Sequence, residues 1–151
     1  MRILKIGIAA AVLTACAAAQ SNTQWVELVS RPVLKMNANG KGSALLRFTI
    51  KPEMHINSHK PSNQLLIPTV LSVPQTAGMK FTPLYPEGHD ITLLGSEKVN
   101  VYSGTFDLRL DATAKDAPSH ANVPVELKYQ ACNNSSCFPP KSLKFEVEVV
   151  R

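Results

Sequence analysis

Aromatic side chains are scarce in this chain, 6% of its 151 residues, and charged ones reach only 18%. Basic residues are not interleaved with aromatics, so there is no stripe on which bases could stack. A nucleic-acid partner is therefore excluded despite a formal charge of +5. Glycine is sparse as well, at seven residues, and none of it forms a phosphate-cradling loop. No paired-carboxylate or Ser-His-Asp pattern stands out, and no cofactor motif is present. Long apolar runs are missing: the longest, residues 6–13, falls far short of the roughly 20 needed to span a bilayer. Helical periodicity is missing too, and eleven prolines spread along the chain would break helices.

What is there begins with a leader. Arg2 and Lys5 precede the short apolar run, and small residues follow, as in a secretory signal. The tetrad Leu13, Thr14, Ala15, Cys16 resembles the lipobox of bacterial lipoproteins, in which the chain is cut before the cysteine and the cysteine carries lipid. The other reading is an ordinary cut after Ala19. The expected organisation is a signal at 1–15 (or 1–19), a small and polar tether at 16–23, and one domain at 24–151. The protein is expected outside the cytoplasm, in the periplasm, with membrane attachment through lipid at Cys16 under the first reading.

From Trp25 onward the pattern is β. "GTFDLRL" sets Phe106, Leu108 and Leu110 on one face; "VPVELKYQA" does the same with Val123, Val125, Leu127 and Tyr129; "SLKFEVEVV" aligns Leu143, Phe145, Val147 and Val149. Period-two alternation of this kind means strands with one buried face. "ALLRFTI" and "LLIPTVLSV" are less regular but rich in branched residues. Turn signals recur at 37–42, 86–90 and 111–119. Many short strands with frequent turns predict an all-β fold, an immunoglobulin-like β-sandwich.

Three cysteines are present, and export permits disulfides. Cys16 leaves with the signal or carries lipid, so Cys132 and Cys137 remain as a pair. On a continuous strand they would lie about 16 Å apart at roughly 3.3 Å per residue. A disulfide requires Cα atoms within about 7 Å, so the chain must reverse between them. Asn133, Asn134, Ser135 and Ser136 suit that reversal, with the strands 123–131 and 142–150 as arms of a hairpin. Three uses stay open: an exchangeable disulfide, a structural staple, or zinc with His55 and His59. The last needs two histidines four apart to converge, which they do on a helix; on a strand they sit about 13 Å apart.

Several stretches together resemble the N-terminal periplasmic domain of the thiol:disulfide interchange protein DsbD. They are "YQACNNSSCFPP" (129–140), "MHINSHKPSNQLLIPTVL" (54–71) and "YPEGHDITLLGSEKVNVYSGTFDLRL" (85–110). The resemblance implies an immunoglobulin-like sandwich whose catalytic pair, Cys132 and Cys137, cycles between dithiol and disulfide, with no cofactor and no metal. It implies thioredoxin-like periplasmic proteins as partners and a membrane thiol reductase as electron source, since the chain ends at Arg151 without a membrane or thioredoxin-like domain of its own. It implies a cap loop over the sulfurs, by position Asp90 to Gly95 with Leu93 and Leu94 as the cover. It places His55, Asn57 and Tyr129 in the thiol environment, and Cys137 as the sulfur that meets partners. Two local departures stand out: the cap of better-known relatives is aromatic, and their cysteine spacing is often one residue longer. Lys128 and Lys141 read as solvated strand lysines, and His89 and His120 as turn residues without chemistry. The competing use of the fold is an exported binding or scaffolding domain with a fixed disulfide.

Overall fold

The computed structural model describes residues 23–74, 78–92 and 98–151. Cys16 and the leader, and Leu93, Leu94 and Gly95 of the expected cap, lie outside the described residues. Among those described there is no helix; twelve strands form two sheets. In chain order they are β1 (Val26–Leu28), β2 (Val33–Met36), β3 (Lys41–Ile50), β4 (His55–Asn57), β5 (Val70–Ser72), β6 (Met79–Leu84), β7 (His89–Thr92), β8 (Lys98–Ser103), β9 (Thr105–Ala114), β10 (His120–Tyr129), β11 (Ala131–Cys132) and β12 (Lys141–Val150).

The large sheet runs β5-β10-β12-β2-β3-β9-β6, with β1 added to β3; the small sheet runs β11-β4-β8-β7. All pairs are antiparallel except β12 with β2. That β2 strand joins two halves of the large sheet, β10–β12 on one side and β3–β9 on the other, and their apolar faces share one core. Phe48 of β3 meets Phe145 of β12 edge-on at 5.8 Å, and stacks on Phe106 of β9 at 5.2 Å. The alternating residues expected to face inward do so: Leu108, Leu110, Leu127 and Val147 are all fully buried. The product is an immunoglobulin-like sandwich.

Prolines sit where a missing N–H costs no ladder bond. Pro83 lies on the edge strand β6, and Pro124 lies where β10 has β12 on one side and β5 has not yet begun. "LLIPTVLSV" yields less strand than its branched residues suggest. Only Val70–Ser72 pairs, and Leu65 and Ile67, ahead of Pro68, are exposed at 89% and 39%.

The small sheet positions the site. Ile56, Tyr102 and Ala131 turn their side chains into the shared core, and Tyr102 stacks on Phe106 at 4.8 Å. Neighbouring residues along those strands therefore face the other way, which puts His55, Asn57 and Cys132 on the opposite face of the small sheet, where all three are buried. Gly104, at φ +62, makes the corner between β8 and β9, a backbone angle that L side chains rarely take.

Candidate functional site

Tyr129 and Lys141 form the last pair of the ten-residue β10–β12 ladder. Beyond it the chain does not simply close the hairpin. It crosses to the small sheet, where Ala131 and Cys132 pair with Ile56 and His55 of β4. Cys137 then returns opposite Cys132. The arms expected from the alternation are present, but the cysteine loop is a separate lobe docked on another sheet.

Asn133 builds the reversal. Its N–H donates to the Ser136 carbonyl at 2.9 Å, and its Oδ1 accepts from the N–H groups of Ser135 and Ser136 at 2.9 and 2.7 Å. This brings the Cα atoms of Cys132 and Cys137 to 4.0 Å, with the sulfurs bonded. On the exit, the Phe138 N–H donates to the Ala131 carbonyl at 2.8 Å, and the Phe138 ring lies 5.0 Å from that of Trp25. The two sulfur residues differ sharply in access. Cys132 is 1% exposed, whereas Cys137 is exposed.

A family model described as "Thiol:disulfide interchange protein DsbD, N-terminal" matches residues 24–149. The chain belongs to this DsbD N-terminal family. Among solved structures, the N-terminal periplasmic domain of ScsB from Proteus mirabilis is similar at 15% identity and a TM-score of 0.55. That match covers 75% of this chain and 43% of the ScsB chain, so this chain spans less than half of that length. The DsbD N-terminal domain of Neisseria meningitidis, in its reduced form, is 18% identical with a TM-score of 0.46, covering 76% of this chain and 81% of that one. No curated protein sequence matches.

Around the DsbD-type pair, the named residues take different places. His55 lies directly across the ladder from Cys132 on one side and Ser103 on the other, and it is buried. Burial lowers its pKa below the ordinary histidine value, and the charge of nearby His89 lowers it further, so the ring is uncharged at neutral pH. Asn57 is buried at the other end of β4, and its polar atoms go to Ile67 and Gln130. Tyr129 is fully buried beneath the hairpin. Its hydroxyl donates to Gln24 Oε1 and accepts from the Trp25 N–H, both at 3.2 Å, and burial raises its pKa.

Other residues singled out from the sequence take these places. Asp90 belongs to β7, paired with Asn100, whose amide donates to its carboxylate at 2.8 Å. His89 and His120 begin strands β7 and β10 instead of sitting in turns. His89 reaches the Ser103 hydroxyl at 3.1 Å, and His120 meets Glu148 at 3.1 Å. Lys128 and Lys141 lie on strands as expected, Lys128 exposed and 4.0 Å from Glu126, and the Lys141 ammonium donates to the Thr23 carbonyl. His59, the other histidine of the zinc reading, stacks on Tyr85 at 3.6 Å while its Nδ1 meets the Thr69 carbonyl. Among the described residues, no group of three or more His, Cys, Asp or Glu is arranged to hold a metal ion.

Sequence reasoning missed Gln130 as a site residue. Its amide nitrogen donates to the Phe138 carbonyl at 3.2 Å, and its Oε1 accepts from Asn57 Nδ2 at 3.4 Å. The available signal was a polar residue set between a buried strand and a cysteine. An open groove of about 710 Å³ flanks the turn, bordered by His55, Ile91, Ser103, Asn133 and Ser135.

Proposed function

We propose that this domain is a periplasmic thiol:disulfide exchanger that passes electron pairs between thioredoxin-like partners through Cys132 and Cys137. The observation that carries the reading is the unequal access of two bonded sulfurs, one buried and one exposed, on a short loop at a strand end. Exchange requires one thiolate to attack and a second to resolve.

In the reduced domain, the Cys137 thiolate attacks one sulfur of a partner disulfide, and the partner's other sulfur leaves as a thiolate. The Cys132 thiolate then attacks the Cys137 sulfur and expels the partner's remaining thiolate. Two electrons pass to the partner, and the domain is left with its disulfide. A membrane thiol reductase or thioredoxin-like protein, acting in the reverse sense, reduces it again.

The buried Cys132 thiol must lose a proton to resolve the intermediate, and desolvation disfavours its thiolate. His55, across the ladder and uncharged at neutral pH, is suited to accept that proton. Attachment through lipid on Cys16 would hold the exchanger at a membrane, which the mass of the mature protein decides.

The test is a reduction potential measured against glutathione. Structural bridges lie below about −300 mV, and an exchanger of this kind should lie above that value. A potential below it makes the pair a fixed clip, and the domain a binding module.

A further inference from the structure

We infer that Gln130 is a positioning residue for the exchange reaction: through the Phe138 carbonyl it holds the exposed cysteine's arm against the buried one when the disulfide opens. The inference rests on the exchange reading and adds to it the device that fixes the redox equilibrium.

The geometry isolates one weak point. Cys132 belongs to β11 and is held by pairing with β4. Cys137 is followed by Phe138, Pro139 and Pro140, and neither proline has an N–H to give to a ladder. Lys141 is the first exit residue returned to β12. Once the S–S bond is gone, the returning arm is held from within the turn by Asn133, and beyond the turn at Phe138. Phe138 is secured by its N–H to Ala131 O, its ring on Trp25, and its carbonyl taken by Gln130 Nε2.

Gln130 is itself braced. Asn57 Nδ2 donates to its side-chain oxygen, and the Asn57 N–H meets its backbone carbonyl at 3.4 Å. Asn57 is fixed in turn by its amide bond to the Ile67 carbonyl at 2.9 Å and by the hydroxyl of fully buried Thr69, which donates to the Asn57 carbonyl at 2.6 Å. A chain of hydrogen bonds thus runs from the sandwich interior to the residue beside the exposed sulfur. It also gives Asn57 a part in the site: its side-chain amide and its backbone N–H both reach Gln130.

The consequence has a definite sign. In the oxidised form the disulfide already restrains Cys137, so losing the Gln130 bond leaves the neighbouring Phe138 carbonyl held in place without that donor. In the dithiol the freed arm can relax and gain conformational entropy. Removing the bond therefore weakens the oxidised form more than the reduced one. For one ordinary hydrogen bond, the constant for disulfide formation falls about fivefold. At 29.6 mV per tenfold, that is a shift of about 20 mV toward a more oxidising couple.

The test uses the purified domain with Gln130→Met, which keeps length without the amide, and Gln130→Asn, which keeps an amide that is too short. Each is equilibrated with glutathione, two molecules of which reduce the protein disulfide to the dithiol and leave as oxidised glutathione. Thermal unfolding is recorded for both redox forms. We expect both variants to lose about fivefold in the oxidation constant, with the oxidised form losing more stability than the reduced form. If wild type equilibrates and the variants keep its constant while both forms lose stability equally, Gln130 is merely structural and the inference is overturned. If the wild-type pair fails to exchange at all, the exchange reading falls first and takes this inference with it.

Discussion

Reducing the Cys132–Cys137 bond should cost the domain little stability, and the cost can be worked out. The bond closes a loop of six residues, for which chain-entropy arguments give about 2 kcal/mol. The rest of the fold does not lean on it. The β10–β12 ladder pairs ten residues from His120 to Tyr129 independently of the lobe, and most of the core side chains are drawn from β3, β9, β10 and β12, with Ala131 the lobe's one contribution. At about 2.1 cal/mol/K per residue, a domain of this size should lose roughly 7 °C in melting temperature on reduction. The assay is thermal unfolding by circular dichroism with and without reductant, with the double replacement Cys132→Ser/Cys137→Ser as a second route to the open form. Both routes should give one cooperative transition. A loss of cooperativity, or a fall of more than about 20 °C, would make the pair a structural staple and refute the loop reasoning.

Other consequences follow from single side chains. Tyr129→Phe removes a hydroxyl that serves both the Trp25 N–H and Gln24, and should cost about 1–2 kcal/mol in denaturant unfolding. Leu46→Ala, at a fully buried position, should cost about 2–5 kcal/mol. Its neighbour Leu45, 57% exposed, should tolerate Ala within about 0.5 kcal/mol; equal effects would contradict the register of β3. Because the His55 pKa is depressed on folding, the unfolded chain binds the proton more readily, so stability is full above about pH 6.5 and falls as pH drops below it. A melting-temperature series from pH 7.5 to 5 should show a slope that His55→Gln reduces, and an unchanged slope would remove His55 as its source.

Much of this molecule is legible in its sequence because its strands have one wet face. Phe106, Leu108 and Leu110, and likewise Val123, Val125 and Leu127, alternate with exposed or half-exposed residues, and the alternation reports the core directly. The site is less legible because it depends on a pairing far away along the chain. Local spacing shows that Cys132 and Cys137 must fold back, and the Asn-Ser run shows how. It does not show that the lobe leaves β12 and docks on β4, more than seventy residues earlier. That long-range register is what buries Cys132, leaves Cys137 open, and sets His55 beside the pair. His89 was misread for a related cause: a short two-stranded edge, β7 on β8, carries too little apolar alternation to distinguish it from a turn. Gln130 escaped notice because its partner is a backbone carbonyl, which leaves no mark in the pattern of side chains.

The most direct measurement of the central claim is capture of the mixed disulfide. Reduced single-cysteine variants, Cys132→Ser and Cys137→Ser, are mixed with an oxidised thioredoxin-like protein and quenched with an alkylating agent. The covalent adduct should accumulate with Cys132→Ser, where exposed Cys137 attacks and no second thiol resolves it, and should be absent with Cys137→Ser. Equal adducts from both variants, or none from either, would contradict the account.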